Sequence, residues 1–430
     1  MGLSRNKFIR VLFLSVIITL PFDSFPLPIN SVYKPLSIIP ILITFFYSLK
    51  INGFKLFIKP FLVLFLLLLL LTSFLNSFLI DIYSGFNLFI IEIIILVITV
   101  GSFNFFIGYL SPTNFKKILN QGVEIVINLF IIIGSLQLMG RFIDPGGLIE
   151  KLNSIFLYRS DLSRIQFLSG EPSYGVRMVI LFLTLKYYVN NKFHFNLKTL
   201  WLLILVLFSG STFGLYYIVI FMTLLLIINY KYSNKIIINT CLIGVFFFAF
   251  YHIIPLTQNF ISDYAKSKID SAFSIINHFT MDNLVAIAQI DGSIFLRIFN
   301  PIIGLKMFLD NFFIGVGGEN FTYHYLDYII KDYPFALQYD AVESVYYENT
   351  RITPKSMIGK LLSEFGALGL IILIFLIKIC LNVKDKFIIP LSAYVMSVLV
   401  NYDSYIYFPL ILAICLIYYQ NSKTFFLIDQ

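Results

Sequence analysis

The sequence predicts an all-α polytopic membrane protein of about 12 transmembrane helices. Three observations predict it. The chain is 59% hydrophobic and only 13% charged, about half the charge fraction of a soluble domain. Apolar runs of roughly 20 residues, the length that crosses a bilayer, recur along it. Lysines cluster in alternate loops between those runs, as the positive-inside rule requires of cytoplasmic loops. No polar linker divides the 430 residues. One membrane-embedded domain, 1–430, is therefore expected, with a large partly helical outer loop at 255–355.

The apolar runs lie near 8–24, 33–49, 58–79, 87–109, 118–139, 172–189, 198–230, 236–254, 356–377, 387–402 and 404–421. Arg5, Lys7 and Arg10 precede the first run and no small-residue cleavage site follows it, so it reads as a retained helix rather than a signal peptide. The lysine loops carry Lys50, Lys55 and Lys59; Lys116 and Lys117; Lys186, Lys192 and Lys198; Lys231 and Lys235; and Lys378, Lys384 and Lys386. For Lys198 and Lys231 to share a side, the run between them must fold back. Ser209-Gly210-Ser211-Thr212 is the natural turn. Both termini then lie inside, and loops 140–171 and 255–355 lie outside.

The net charge of +8 comes largely from these lysines. No basic stripe interleaved with aromatics forms, so nucleic acid is not an expected partner. Cys241, Cys380 and Cys415 sit in apolar runs without CxxC spacing, which reads as core packing. His194, His252, His278 and His324 lack ligand spacing, so neither a metal nor a cofactor is expected. Walker, GxGxxG, HExxH and GxSxG patterns are absent. Glu92 and Glu124 fall inside spans, where a carboxylate is a functional candidate by default.

Arginine is used differently from lysine. Arg141, Arg159, Arg164, Arg177, Arg297 and Arg351 are all assigned outside, and only Arg5 and Arg10 inside. A guanidinium is always charged and grips phosphate through a planar fork of donors. A diphosphate would suit such a set. Salt bridges to the many outer Asp and Glu residues would use the same arginines, and the sequence leaves both readings open.

Three segments resemble the bacterial O-antigen polymerase and ligase superfamily. The first runs from Arg164 through Glu171-Pro172-Ser173-Tyr174, an Arg followed by Glu-Pro-Ser at the start of a span. Pro172 suits a first helical turn, and the positive helix end beside it can help hold an anion. The second runs from Arg297 through Asn311 to Gly315-Val316-Gly317-Gly318-Glu319-Asn320-Phe321, with Phe312 where the family has proline. The third runs from Lys355 and Ser356 to Glu364-Phe365-Gly366-Ala367-Leu368-Gly369. O-antigen ligases carry a His near the position of Lys355, so its absence favours a polymerase. Together the segments cover roughly 158–375.

The resemblance implies a GT-C-like glycosyltransferase in the bacterial cytoplasmic membrane. It would join undecaprenyl-diphosphate-linked repeat units into O-antigen or capsular polysaccharide on the outer face, alongside chain-length regulator and flippase proteins. Within that reading Arg164 and Arg297 would stabilise the leaving diphosphate, with Arg159 or Arg351 in support. Glu171 would orient or deprotonate the acceptor hydroxyl, or alternatively orient an arginine. Ser173, Tyr174, Glu319, Asn320 and Lys355 are the remaining expected substrate contacts. An O-antigen ligase and a polysaccharide flippase or transporter are the alternatives.

Overall fold

The computed structural model describes residues 2–24, 35–52, 60–79, 84–140, 142–143, 147, 151, 154, 164–191, 196–209, 211–229, 292–348, 351–383 and 385–426. The expected span at 236–254, together with Arg141, Arg159 and Cys241, lies outside those residues. Among the described residues there are fourteen α-helices and no strand. They are α1 (Gly2–Thr19), α2 (Ile38–Asn52), α3 (Pro60–Leu79), α4 (Ser84–Tyr109), α5 (Pro112–Gly140), α6 (Pro172–Asn190), α7 (Leu197–Phe208), α8 (Thr212–Asn229), α9 (Gly292–Asp310), α10 (Phe321–Asp332), α11 (Asp340–Glu348), α12 (Met357–Leu381), α13 (Ile389–Asn401) and α14 (Phe408–Phe426). Three of these, α4, α5 and α12, are long and apolar enough to cross a membrane, and shorter apolar helices lie within α2, α3, α7, α8, α13 and α14.

Local sequence accounts for the helix ends. Pro172 opens α6, where its missing N–H is no loss. The side chain of Asn196 caps α7 by accepting from the Thr199 amide at 2.9 Å. The 198–230 run is interrupted where expected, α7 closing at Phe208 and α8 opening at Thr212. α7 packs on α5, with Lys198 reaching Asn128 at 3.1 Å and Trp201 reaching Ser135 at 2.9 Å. α8 instead packs on α13 and α6, where the Tyr217 hydroxyl meets Ser397 at 2.9 Å.

Among the described residues two large cores form, with a third, small cluster of Phe308, Leu362 and Leu373 between α9 and α12. The larger joins α1–α8 to α12–α14, and buried aromatics such as Phe13, Phe106 and Phe130 lie in it. The smaller belongs to the 292–355 region alone. Phe295, Phe299, Ile303 and Met307 line one face of α9 at four-residue spacing and pack against Tyr325, Ile329 and Val342. This helical cap sits on α12, and Gly304 approaches the backbone of Gly359 so closely that an added methyl group would lie 3.2 Å from its carbonyl oxygen.

α12 is broken. Gly366 takes φ 54° and ψ −126° in its interior, and Gly369 abuts the carbonyl of Leu361 as the second half turns away. The break releases backbone groups in an apolar setting, where each needs a partner. Val316 N–H donates to the Ser363 carbonyl and Gly317 N–H to the Glu364 carbonyl, both at 2.8 Å, while Ala367 N–H donates to the Phe312 carbonyl at 2.6 Å. Gly315, at φ 73°, lies so close to Glu364 that no side chain fits. The second and third motif segments are thus two halves of one joint.

Gly366→Ala should destabilise the protein by about 1–3 kcal/mol through its backbone angles alone, with a further cost from the crowding against Phe312. Thermal unfolding in detergent checks this, and an unchanged midpoint would show that the break is not required.

Candidate functional site

The first motif loop is held by buried polar side chains. Gln137 of α5 accepts from the amides of Gln166 and Phe167 at 3.0 and 2.8 Å and donates to the Phe167 carbonyl at 2.9 Å. That one side chain satisfies three backbone groups of a turn in which Phe167 takes φ 57°. Asp23, buried beside the end of α1, accepts from the Gly170 amide at 2.9 Å, and Ser169 Oγ donates to the Pro21 carbonyl at 3.4 Å. The loop therefore delivers Glu171 to the helix start in a defined direction.

Glu171 is the N-cap residue of α6, but its carboxylate makes no cap bond. It faces Arg297 of α9, Oε2 to Nη2 at 3.8 Å, and accepts from Ser173 Oγ at 3.4 Å. Both partners remain accessible, Arg297 at 20% and Glu171 at 40% of the side chain. Next to them Arg177 is buried between two rings, 4.3 Å from the Tyr174 centroid and 4.7 Å from Tyr402. Stacking of this kind stabilises a desolvated guanidinium.

A second cluster forms at the break in α12. The carboxylate of Glu319 is ion-paired to both Arg351 and Lys360, and Lys360 also lies 3.7 Å from Glu92 of α4. Lys360 stands over the Tyr405 ring at 4.3 Å, and the Tyr405 hydroxyl donates to Glu364 at 2.8 Å. Asp403 accepts from the Lys355 amide at 2.8 Å. Burial alone would raise the Asp403 pKa, but Lys355, Lys360 and the hydrogen bonds from Thr353 and the Lys355 amide hold it below the usual carboxylate value. Glu319 and Lys355 have φ of 61° and 60°. Strained non-glycine backbone of this sort collects where a site demands it.

The two clusters adjoin. Tyr174 and Tyr402 meet edge to face at 5.8 Å, and Tyr174 lies within electrostatic reach of Glu171, Arg177, Arg297 and Asp403. Of the expected site residues, Glu171, Ser173, Tyr174 and Arg297 come together in the first cluster, and Glu319, Arg351 and Lys355 in the second. Arg164 is half-buried at the head of the motif loop, and Arg159 lies outside the described residues. Asn320 is fully buried, its amide donating to Ser77 and Val316, and so holds the turn on α3.

Lys360, Glu364, Asp403 and Tyr405 were not among the expected site residues, and Arg177 was expected only as one of the outer arginine set. Lys360 offered one signal, a lysine inside an apolar run. Glu92 and Glu124, which had no partner in the sequence, pair with Lys360 and Lys186, the latter at 2.9 Å. Among the described residues no group of His, Cys, Asp or Glu forms a metal site. The comparisons add nothing to this geometry: no protein-family model, no curated protein and no solved structure matches the chain.

Lys360→Met should cost about 3–5 kcal/mol, since it leaves the partly buried Glu92 without its cation and the buried Glu319 with Arg351 alone. Adding Glu319→Gln should recover part of that loss. A double-mutant cycle on thermal unfolding reads the coupling, and strictly additive effects would contradict the pairing.

Proposed function

We propose that the chain is a membrane-embedded glycosyltransferase. It joins undecaprenyl-diphosphate-linked repeat units into O-antigen or capsular polysaccharide at the outer face of the bacterial cytoplasmic membrane. The observation that carries this reading is the accessible Glu171–Arg297 pair, a carboxylate and a phosphate-gripping cation brought together from distant segments. The all-helical fold and its broken helix suit a GT-C-like architecture. The lysine spacing supports twelve spans with both termini in the cytoplasm.

In this mechanism the acceptor sugar hydroxyl attacks the anomeric carbon of the donor glycan. The new glycosidic bond forms as the bond to diphosphate breaks, and undecaprenyl diphosphate leaves with the electron pair. Glu171 takes the hydroxyl proton. Arg297 turns from Glu171 to the diphosphate, which frees the carboxylate as a base while the cation meets the developing charge. Arg164 supplies a second cation, with Arg159 or Arg351 in support. Ser173 and Tyr174 border the acceptor, and Glu319, Asn320 and Lys355 shape the side toward α12. Chain-length regulators and a flippase are the expected partner proteins.

Transport is the second reading, favoured by the break at Gly366 and by the Glu92–Lys360 and Glu124–Lys186 pairs. Purified protein given lipid-linked repeat units on its accessible side separates the two. Polymer supports transfer, and movement of the units across the bilayer without polymer supports transport.

Arg297→Lys and Arg164→Lys keep the charge and lose the fork. Each should lower polymer formation roughly 10²–10³-fold, the usual cost of one preorganised donor. Long-chain glycan at normal levels in both variants would exclude the diphosphate role. Glu171→Gln should leave protein level unchanged and abolish polymer if the carboxylate is the base. Loss of the protein itself would assign it a structural role.

A further inference from the structure

Between α9 and the glycine turn, the chain exposes a run of large apolar side chains. Phe313 is 81% exposed and Leu309 67%, and Leu305, Phe312 and Ile314 are exposed beside them. The neighbouring polar residues turn the other way. Asp310 engages Tyr328, and Asn311 donates to the Met307 carbonyl at 3.1 Å and to the Tyr328 hydroxyl at 3.4 Å. The apolar tip is thus presented separately from its polar flank.

The depth of this tip follows from its contacts. The turn after it is anchored on α3, where Asn76 donates to the Gly315 carbonyl at 3.3 Å and Ser73 accepts from the Gly318 amide at 2.9 Å. At 1.5 Å per residue these anchors lie about 5 and 9 Å below the end of α3 at Leu79. α3 stays apolar and exposed to that end, with Phe78 at 62% and Leu79 at 75%. On the other flank, Phe312 is bonded to Ala367, the first residue of the outgoing half of α12, whose Ile371, Ile374 and Phe375 are exposed. The tip therefore lies between two exposed apolar strips, level with both.

The backbone agrees. Amides 315–318 donate to the carbonyls of Asn311, Ser363 and Glu364 and to Ser73 Oγ. Irregular chain at membrane depth is stable only when its polar groups are satisfied by the protein.

We propose that residues 311–318 form a re-entrant hook whose Phe312-Phe313-Ile314 tip, continued by Leu305 and Leu309, is seated among the phospholipid acyl chains of the leaflet on the cap side. The continuity of this surface with the lipid-facing strips of α3 and α12 selects acyl chains as the occupant. The hook sets the cap, and with it Glu319 and Arg297, at a fixed depth against the membrane. The assignment is independent of the enzymatic reading.

Trp201 is the only tryptophan of the sequence, so Phe313→Trp in a Trp201→Phe background carries a single reporter. The full chain is reconstituted in nanodiscs at one copy per disc, with phospholipids either plain or brominated on their acyl chains. Leu309→Trp is a second reporter in case the first does not fold, and Tyr347→Trp, on the exposed face of α11, is the aqueous comparison. Loss of emission from the hook tryptophan in brominated discs, with protection from iodide, is the expected result. Quenching by iodide without quenching by brominated lipid would overturn the proposal. Quenching by neither would also overturn it, because the tip would then be covered by protein.

Discussion

Hydrocarbon offers no hydrogen bonds, so a helix broken within an apolar bundle must find partners for the carbonyls it releases. In α12 those carbonyls are Ser363 and Glu364, and the amides of Val316 and Gly317 meet them at 2.8 Å. Much of the site follows from that exchange. It positions the glycine turn, and the turn carries Glu319 toward Lys360 and Arg351. It also ties the cap to the bundle, so that Arg297 on α9 arrives opposite Glu171 on α6. The glycines serve geometry here. Gly315 and Gly366 have positive φ and stand too close to Glu364 and Phe312 for any side chain.

The charges divide by accessibility. Glu319, Lys360 and Glu364 are almost fully buried, and buried ions persist only when paired and hydrogen-bonded. Their role is to lock the joint between α4, α12 and the turn. Glu171 and Arg297 stay partly open and lie 3.8 Å apart, beyond a direct hydrogen bond. A pair held at that distance can exchange one partner for a ligand, whereas Lys360 is enclosed by Glu319, Glu92 and the Tyr405 ring. Arg177, stacked between Tyr174 and Tyr402, stands between the two clusters and braces the aromatic wall they share.

Much of the local structure was legible in the sequence because it follows from short-range chemistry. Pro172 marked the start of α6, and the small residues 209–212 marked the interruption of the 198–230 run. The charge partners were not legible. Glu92, Glu319, Lys360 and Asp403 come from four separated segments, and nothing in their spacing specifies which carboxylate takes which cation. Gln137 was invisible for the same reason: an uncharged amide within a long apolar helix gives no hint that it organises a loop thirty residues away. Glu171 and Arg297 were identified individually, but the contact between them belongs to the tertiary fold.

The pairing of Glu124 with Lys186 bears on how the protein is made. Glu124 lies within α5, which is synthesised and reaches the bilayer before α6 exists. Alone in lipid, an ionised carboxylate is costly. Together, at 2.9 Å, Glu124 and Lys186 neutralise each other. The pair therefore couples α5 to α6 along a contact that their packed faces already make.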